Sequence, residues 1–206
     1  MRVPSSLRNR DTHGTWPWVA AAAAAPSTVA ACIAQDTLRR DGNWALWLPL
    51  PVLFWHQTEE WVVPGGFLPW FNREVAGSGQ DEFPITRTLG LIINTGAGWA
   101  LCVAAGAAGR ERPLLPAASL TMFVTNAGLH GGRLAADRAY NPGSATGTLL
   151  MLPLGVLGIA RLLRDPEVEN KQVLKGVAAG VVASAALMAV MQVRVRLSRG
   201  SRGRRR

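Results

Sequence analysis

Long runs without a charged residue constrain this chain more than any other feature of its sequence. Five stretches contain no Asp, Glu, Lys or Arg: residues 14–35, 88–109, 113–132, 139–160 and 176–193. A sixth stretch, residues 42–72, has only Glu59 and Glu60 among these types. A helix needs about 20 apolar residues to cross a hydrocarbon layer about 30 Å thick. The pattern therefore predicts an all-α, polytopic transmembrane helical bundle rather than a compact soluble domain.

We expect about six helices in a single transmembrane domain covering residues 1–206. Their approximate ranges are 16–33, 44–63, 85–108, 114–134, 146–163 and 173–195. The first is the least secure, because alanine is only weakly hydrophobic and Pro26 interrupts the run; without it, five helices would span. Its preceding arginines also resemble a signal peptide. We favour an uncleaved first helix, because the chain re-enters an apolar run at once.

The longest predicted loop, residues 65–83, follows the second helix and contains the glycines that mark turns. It is long enough to cover a site. Tryptophans crowd the second helix and the start of this loop, and because this residue is enriched at headgroup level, we interpret Trp44, Trp61 and Trp70 as anchors in a membrane belt. The two cysteines, Cys32 and Cys102, lack a Cys-x-x-Cys spacing, so we predict neither a disulfide framework nor a zinc ribbon.

The formal net charge of +9 is concentrated at one end of the chain. Seven of the 22 Lys and Arg residues lie in residues 194–206, a segment without aromatic residues. Nucleic-acid binding would favour basic residues interleaved with aromatics. We therefore expect no nucleic-acid partner, and interpret residues 196–206 as a basic tail that contacts anionic membrane lipids.

The distribution of positive charge also predicts an orientation. With six helices, 14 of the Lys and Arg residues fall on one side of the membrane and 8 on the other. Cytoplasmic loops carry the excess, so both termini, including an N-terminal arm over residues 1–15, are predicted to be cytoplasmic. With five helices the division is 11 to 11.

Three polar residues near the end of the second helix stand out in this apolar setting. His56, Glu59 and Glu60 are spaced i, i+3 and i+4, which places them on one face of a helix. A charged side chain near the centre of a membrane helix costs about 2.5–3.5 kcal/mol. Either these groups line a hydrated cavity or a cation neutralises them, or they lie just beyond the interface and are solvated.

Other polar residues converge on the same depth. Asn94 lies early in the third helix, Asn126 and His130 lie late in the fourth, and the turn Tyr140-Asn141-Pro142-Gly143 follows. Since the second and fourth helices end where the third and fifth begin, all of these groups lie toward one face of the membrane. Convergent polar groups in an apolar frame predict a binding or catalytic site.

Histidine and glutamate are ligands that suit Zn, Fe or Mn. We predict one divalent ion held by His56, Glu60 and His130, because there are too few carboxylates for two metals. The other glutamate, Glu59, would act as general base, with Asn94 and Asn126 orienting substrate or stabilising charge; the residues do not settle which glutamate is the ligand. The competing interpretation of His130 is a core histidine hydrogen-bonded to Asn126.

The ordered motifs resemble those of the HXXEE-domain family of bacterial membrane proteins. The resemblance rests on His-x-x-Glu-Glu in an early helix, a following Asn, then Asn-x-x-x-His and Tyr-x-Pro-Gly, over residues 44–163. It implies an integral protein of the bacterial inner membrane, with a suspected but unestablished enzymatic role. It also adds Tyr140 to the candidate site residues.

Several functions fit this site. The first is a metal-dependent enzyme, a hydrolase or a related lipid-modifying enzyme, acting on a lipid or another hydrophobic small molecule. The second is a metal-free isomerase or cyclase, in which Glu59 and Glu60 share a proton. The third is a small transporter that uses the same polar cluster, and the fourth is an accessory protein in which the cluster serves helix packing.

Overall fold

The structure, a computed structural model, describes residues 14–40 and 43–203. Over these residues it forms seven helices, three of which combine α- and π-helical stretches. They are α1 (Trp16–Arg40), α2 (Trp44–Trp47 and Pro49–Trp61), α3 (Phe67–Trp70 and Phe71–Val75), α4 (Arg87–Leu91, Ile92–Trp99 and Ala100–Ala108), α5 (Leu114–Asp137), α6 (Ser144–Thr146, Gly147–Met151 and Leu152–Arg164) and α7 (Asn170–Gly203). Of the predicted N-terminal arm, only residues 14 and 15 are described. The last three residues of the predicted tail lie outside the described residues.

The prediction of an all-α fold is confirmed, because this part of the chain contains no strand and only one isolated bridge, between Gln80 and Phe83. Four helices are long and apolar enough to cross a membrane. They are α1 over Trp16–Gln35, α4 over Arg87–Ala108, α6 over Ser144–Arg164 and α7 over Asn170–Gly200. The helices α2 and α5 lie outside this group, so the count of about six membrane-spanning helices stays a prediction.

The helices α2 and α5 carry the three predicted metal ligands and lie inside the bundle. Helix α5 packs against α6 and α7. Its approach to α7 is close: a Cβ atom added at Gly180 would lie 2.7 Å from the carbonyl oxygen of Ala118. Helix α1 covers α2 through Ala20 and Ala24, which pack with Phe54. Small residues at these contacts let the helix backbones approach closely, as in membrane bundles.

The segment between α2 and α4 differs from its prediction as a loop, because Phe67–Val75 is helical. Aromatic and aliphatic side chains of this helix α3 join a buried cluster with Ile85 and with Met191 and Val195 of α7. Asn72, which is fully buried, bonds to the backbone of Asp81 and Ile85 and so fixes the connection to α4. Tertiary packing, rather than a periodic sequence pattern, therefore accounts for this short helix.

Candidate functional site

Three buried side chains converge where α2 meets α5. One helical turn separates His56 from Glu60, and Nε2 of His56 lies 3.3 Å from Oε1 of Glu60. From α5, Nε2 of His130 lies 3.2 Å from the same oxygen. All three residues are at most 4 % exposed, and their candidate ligand atoms lie within 4.8 Å of one another. The structure therefore brings together the three residues that the sequence predicted as metal ligands.

The outer nitrogen of each imidazole is already engaged. Nδ1 of His130 lies 2.8 Å from Oδ1 of Asn141, whose amide nitrogen donates to the carbonyl of His130. Nδ1 of His56 lies 2.9 Å from the hydroxyl of Thr146, which donates its own hydrogen to Glu59 at 2.5 Å. Since both oxygens act as acceptors toward the rings, each histidine carries its hydrogen on Nδ1. In the neutral imidazoles, Nε2 is then a bare lone pair.

The two lone pairs and the Glu60 carboxylate oxygen face one another in a buried space. Neither Nε2 atom has a hydrogen-bond partner among the described residues, although each lies close to Oε1 of Glu60. Three electron-rich atoms at this separation repel one another unless a cation lies between them. Donation of the outer N–H to a fixed oxygen is also how histidines that bind metals are held in place.

Glu59 is adjacent in sequence but makes a different set of contacts. Oε1 accepts hydrogen bonds from the Tyr140 hydroxyl at 2.9 Å and from the backbone N–H of Ala145 at 3.0 Å. Oε2 accepts from the backbone N–H of Thr146 at 2.7 Å and from its hydroxyl. Four donors thus surround one carboxylate at the start of α6, where unpaired N–H groups and the helix dipole favour a negative charge.

Tyr140 lies in the turn between α5 and α6, and its ring is half exposed. Desolvation of the hydroxyl, followed by its hydrogen bond to Glu59, raises the pKa of Tyr140 above its usual value of 10. The hydroxyl therefore stays protonated and donates to Glu59 throughout the physiological range of pH. This contact connects Tyr140 to the site through Glu59 rather than through the histidines.

Asn94 belongs to a second polar network on the inner side of α4. Its amide nitrogen donates to the carbonyl of Gly90, and its oxygen accepts from Gln57 at 3.0 Å. Gln57, which is fully buried, in turn accepts from the indole nitrogen of Trp99 at 2.8 Å. These bonds satisfy the polar atoms they join, so the network fastens α4 to α2 beside the histidine cluster.

A family model described as "Protein of unknown function with HXXEE motif" matches residues 47–157, more than half of the chain. The chain belongs to the HXXEE family. No curated protein and no solved structure matches it significantly.

The HXXEE motif itself reads His56, Glu59 and Glu60 in this chain. Its histidine and second glutamate face each other in the buried cluster, whereas its first glutamate holds the start of α6. Consecutive residues on a helix point about 100° apart, and this angle separates the two carboxylates. Two residues of the motif, His56 and Glu60, thus belong to the buried cluster, and the third, Glu59, joins α2 to α6.

Asn126 lies one turn before His130 on α5 and lines an apolar cavity together with Glu60 and His130. It does not bond to His130, whose ring is held by Asn141 instead. The interpretation of a histidine paired with Asn126 is therefore wrong. The side-chain oxygen of Asn126 is buried and has no hydrogen-bond partner among the described residues.

Aromatic residues of α3 cover the histidine cluster of this HXXEE chain. The ring of Trp70 stacks on His130 with 5.1 Å between centroids and 23° between planes, and Phe67 lies 6.1 Å from the same ring. Trp61 contacts Trp16 and Phe67. The membrane-belt interpretation therefore misses the contacts of Trp61 and Trp70, which face protein rings near the site.

Three site residues were not predicted from the sequence. Asn141 and Thr146 fix the imidazoles, and Gln57 joins Asn94 to Trp99. Asn141 could have been predicted from the sequence, because it lies in the Tyr-x-Pro-Gly turn that the chain shares with the HXXEE family. Gln57 also lies inside the His-x-x-Glu-Glu stretch, but one position away from the face that the spacing selects.

Proposed function

We propose that this HXXEE protein is an integral membrane enzyme that uses one divalent metal ion to act on a lipid or another hydrophobic small molecule. His56, Glu60 and His130 would hold the ion. The observation that carries this proposal is the meeting of two Nε2 lone pairs with one carboxylate oxygen in a space that protein surrounds. A cation relieves the repulsion among these atoms, and the fixed Nδ1 hydrogens prepare both rings to bind it.

The donor set indicates the kind of ion and its chemistry. Two imidazole nitrogens and a carboxylate suit Zn, Fe or Mn. Three protein ligands are typical of catalytic rather than structural zinc sites, because a position stays open for water or substrate. An ion bound in this way would polarise a carbonyl group or activate water.

The contacts of the surrounding residues support a division of roles. Because four donors already occupy Glu59, we assign it as a positioning residue that orients His56 through Thr146, in place of the general base expected from the sequence. Tyr140 acts on the same carboxylate and is likewise a positioning residue. Asn126 keeps the predicted role of orienting the substrate, since its unpaired oxygen lies on the wall of the cavity.

Membrane integration is part of the same proposal. Four helices are long and apolar enough to cross a membrane, and they leave large apolar side chains such as Leu149, Leu157 and Val182 exposed. Such a surface is stable in lipid and costly in water. We propose that α2 and α5 also cross, giving six spanning helices with both termini in the cytoplasm of a bacterium.

A metal-free acid–base enzyme is the second candidate function. The distances of 3.2 and 3.3 Å from Glu60 to the two Nε2 atoms are also compatible with one shared proton in place of a metal. The same cluster would then exchange protons with a substrate, as an isomerase or cyclase requires.

Metal content distinguishes the two candidates. We expect protein purified in detergent without chelator to contain about one Zn, Fe or Mn per chain by elemental analysis. The Glu60→Gln variant should lose more than about 90 % of it, because losing a ligand costs more than the 10- to 100-fold that outer contacts contribute. Glu74→Gln, at an exposed residue of α3, is the matched control and should keep the metal. Wild-type protein that stays metal-free after incubation with each ion would overturn the metal assignment and favour proton chemistry.

A second variant tests the orientation of His56. Thr146→Val keeps the shape of the side chain but removes the hydroxyl that bonds to both His56 and Glu59. We expect zinc affinity to fall about 10- to 100-fold, measured by competition with a chromophoric chelator. Thr148→Val, at an exposed position two residues later, is the control and should bind like wild type. Equal affinities for wild type and Thr146→Val would contradict a role of this hydroxyl in fixing the ring.

A further inference from the structure

An apolar cavity of about 390 Å³ adjoins the histidine cluster. Residues of α4, α5 and α7 form most of its wall, and Phe67 and Phe71 of α3 also line it. Glu60 and His130 belong to the same wall, so a molecule in the cavity would contact the candidate metal ligands directly. The volume lies within the range of small-molecule sites.

The wall contains no positively charged side chain to balance an anionic ligand. Among the residues that line the cavity there is no Lys or Arg, and Glu60 is the one carboxylate. Most of the others are apolar, including Met122, Met188 and Met191. Burying an unpaired charge in such surroundings is costly. The proposed ion would have the Glu60 carboxylate as its counter-charge, so the rest of the cavity wall favours an uncharged ligand.

Besides Nε2 of His130 in the cluster, two polar atoms on this wall lack a partner. They are the side-chain oxygen of Asn126 and the indole nitrogen of Trp61, both buried. The other hydroxyls on the wall are paired, since Thr125 and Ser184 bond to each other at 2.7 Å. A buried acceptor without a partner costs about 1–3 kcal/mol. A ligand with an O–H or N–H group would satisfy Asn126, one turn from His130.

The cavity reaches the outer surface of α7. Val181 and Ala185 line it and are also exposed, Val181 to 48 %. An apolar molecule dissolved in the bilayer would therefore meet the cavity from the side. Glu60 also borders a second cavity of about 500 Å³, whose wall includes Asp81, Glu82 and Arg87. The carboxylate thus borders both cavities, the second of which has charged residues on its wall.

From these features we infer that the apolar cavity binds an uncharged aliphatic molecule, headed by an alcohol or amide group, that enters from the bilayer. Its head donates to Asn126 beside His130, and its chain lies along the methionines. The volume equals that of roughly 13 liquid water molecules, which corresponds to a chain of roughly a dozen or more non-hydrogen atoms. The inference rests on the proposed function, because it names the substrate class of the same centre.

Photo-crosslinking in lipid nanodiscs tests this inference. The probes are a diazirine-bearing twelve-carbon alcohol and the carboxylic acid of the same chain length, with unlabelled dodecan-1-ol as competitor. We expect the alcohol to label residues of the cavity wall, such as Met122 and Met188, at least about tenfold more than the acid does. Dodecan-1-ol should suppress this labelling. Equal labelling by both probes, or labelling confined to the outer surface of the helices, would overturn the inference.

Variants make the test specific. Ala185→Trp places an indole in the cavity mouth and should abolish the labelling that dodecan-1-ol suppresses. Ala183→Trp, at an exposed position of the same helix outside the cavity wall, should leave it unchanged. Asn126→Leu should lower it about tenfold, and labelling equal to wild type would contradict head-group recognition by this residue.

Metal content measured on the same samples separates the two proposals. Metal-loaded wild-type protein without selective labelling overturns this inference and leaves the metal centre standing. Selective labelling of protein that stays metal-free after incubation with each ion overturns the metal-dependent function and supports the cavity as a binding site for neutral lipids.

Discussion

We expect the Gly143→Ala variant to lose metal binding although all three proposed ligands remain in place. Gly143 has a φ of +95°, a conformation that residues with a Cβ atom rarely adopt. A Cβ atom there would lie 2.8 Å from Cε1 of His56, 2.8 Å from Cε1 of His130 and 3.0 Å from Cγ of Glu60. One methyl group would therefore collide with every member of the cluster.

The turn and the rings cannot both keep their positions in this variant. Left-handed backbone costs about 1–2 kcal/mol for a residue other than glycine, and overpacking of a buried site costs about 1–3 kcal/mol. Displacing the rings also breaks their bonds to Asn141 and Thr146. We therefore expect zinc affinity to fall more than about 100-fold, with a lower midpoint of thermal unfolding.

Zinc titration and thermal unfolding in detergent measure these two effects. Gly132→Ala is the matched control, because a Cβ atom at this exposed position of α5 meets nothing within 4 Å. It should bind zinc like wild type and gain slightly in helix stability. Wild-type zinc affinity in Gly143→Ala would show that the turn yields without moving the imidazoles, and would contradict the close fit around the cluster.

The features of this structure that depend on charge-free runs and on helical spacing could be predicted from the sequence. Runs without charge identified the regions of α1, α4, α6 and α7, because hydrocarbon imposes a length and a composition on any helix that crosses it. The i, i+4 spacing placed His56 and Glu60 on one face. Alternation of the helices then brought His130 to the same depth, and the structure joins the three residues.

Contacts that depend on turn geometry, or on the direction in which a side chain points from its helix, could not be predicted in this way. The sequence placed Glu59 and Glu60 on nearly the same side of α2, yet a difference of about 100° sends one to the start of α6 and the other to His130. Asn141 reaches His130 only because the chain reverses at residues 138–143. Likewise, α3 depends on packing against α7, which no local pattern in the sequence reveals.

A second large effect is expected from Asn72→Asp, far from any ligand in sequence. Asn72 is fully buried, and its amide nitrogen donates to the carbonyl oxygens of Asp81 at 2.7 Å and Ile85 at 2.8 Å. Its oxygen accepts from the N–H of Ile85 at 2.9 Å. One amide group thus holds together the whole connection from α3 to α4.

A carboxylate at this position keeps the acceptor but cannot donate. The buried carbonyl oxygen of Ile85 loses its donor, at about 1–3 kcal/mol, the partly buried carbonyl oxygen of Asp81 loses its donor as well, and a negative charge is placed against both. We expect a loss of at least about 3 kcal/mol in the stability of the segment 67–86. Since α3 carries the Trp70 and Phe67 rings that lie against His130, the cluster should also become accessible to water.

Hydrogen–deuterium exchange in detergent measures this local loss directly. Backbone amides of residues 67–86 should exchange about 100-fold faster in Asn72→Asp than in wild type, since each 1.4 kcal/mol corresponds to a factor of ten. The amides of α5 should change much less, because its contacts with α6 and α7 remain. Asn170→Asp, at the exposed first position of α7, is the control and should exchange like wild type. Unchanged protection of residues 67–86 would mean that packing alone holds the covering helix in place.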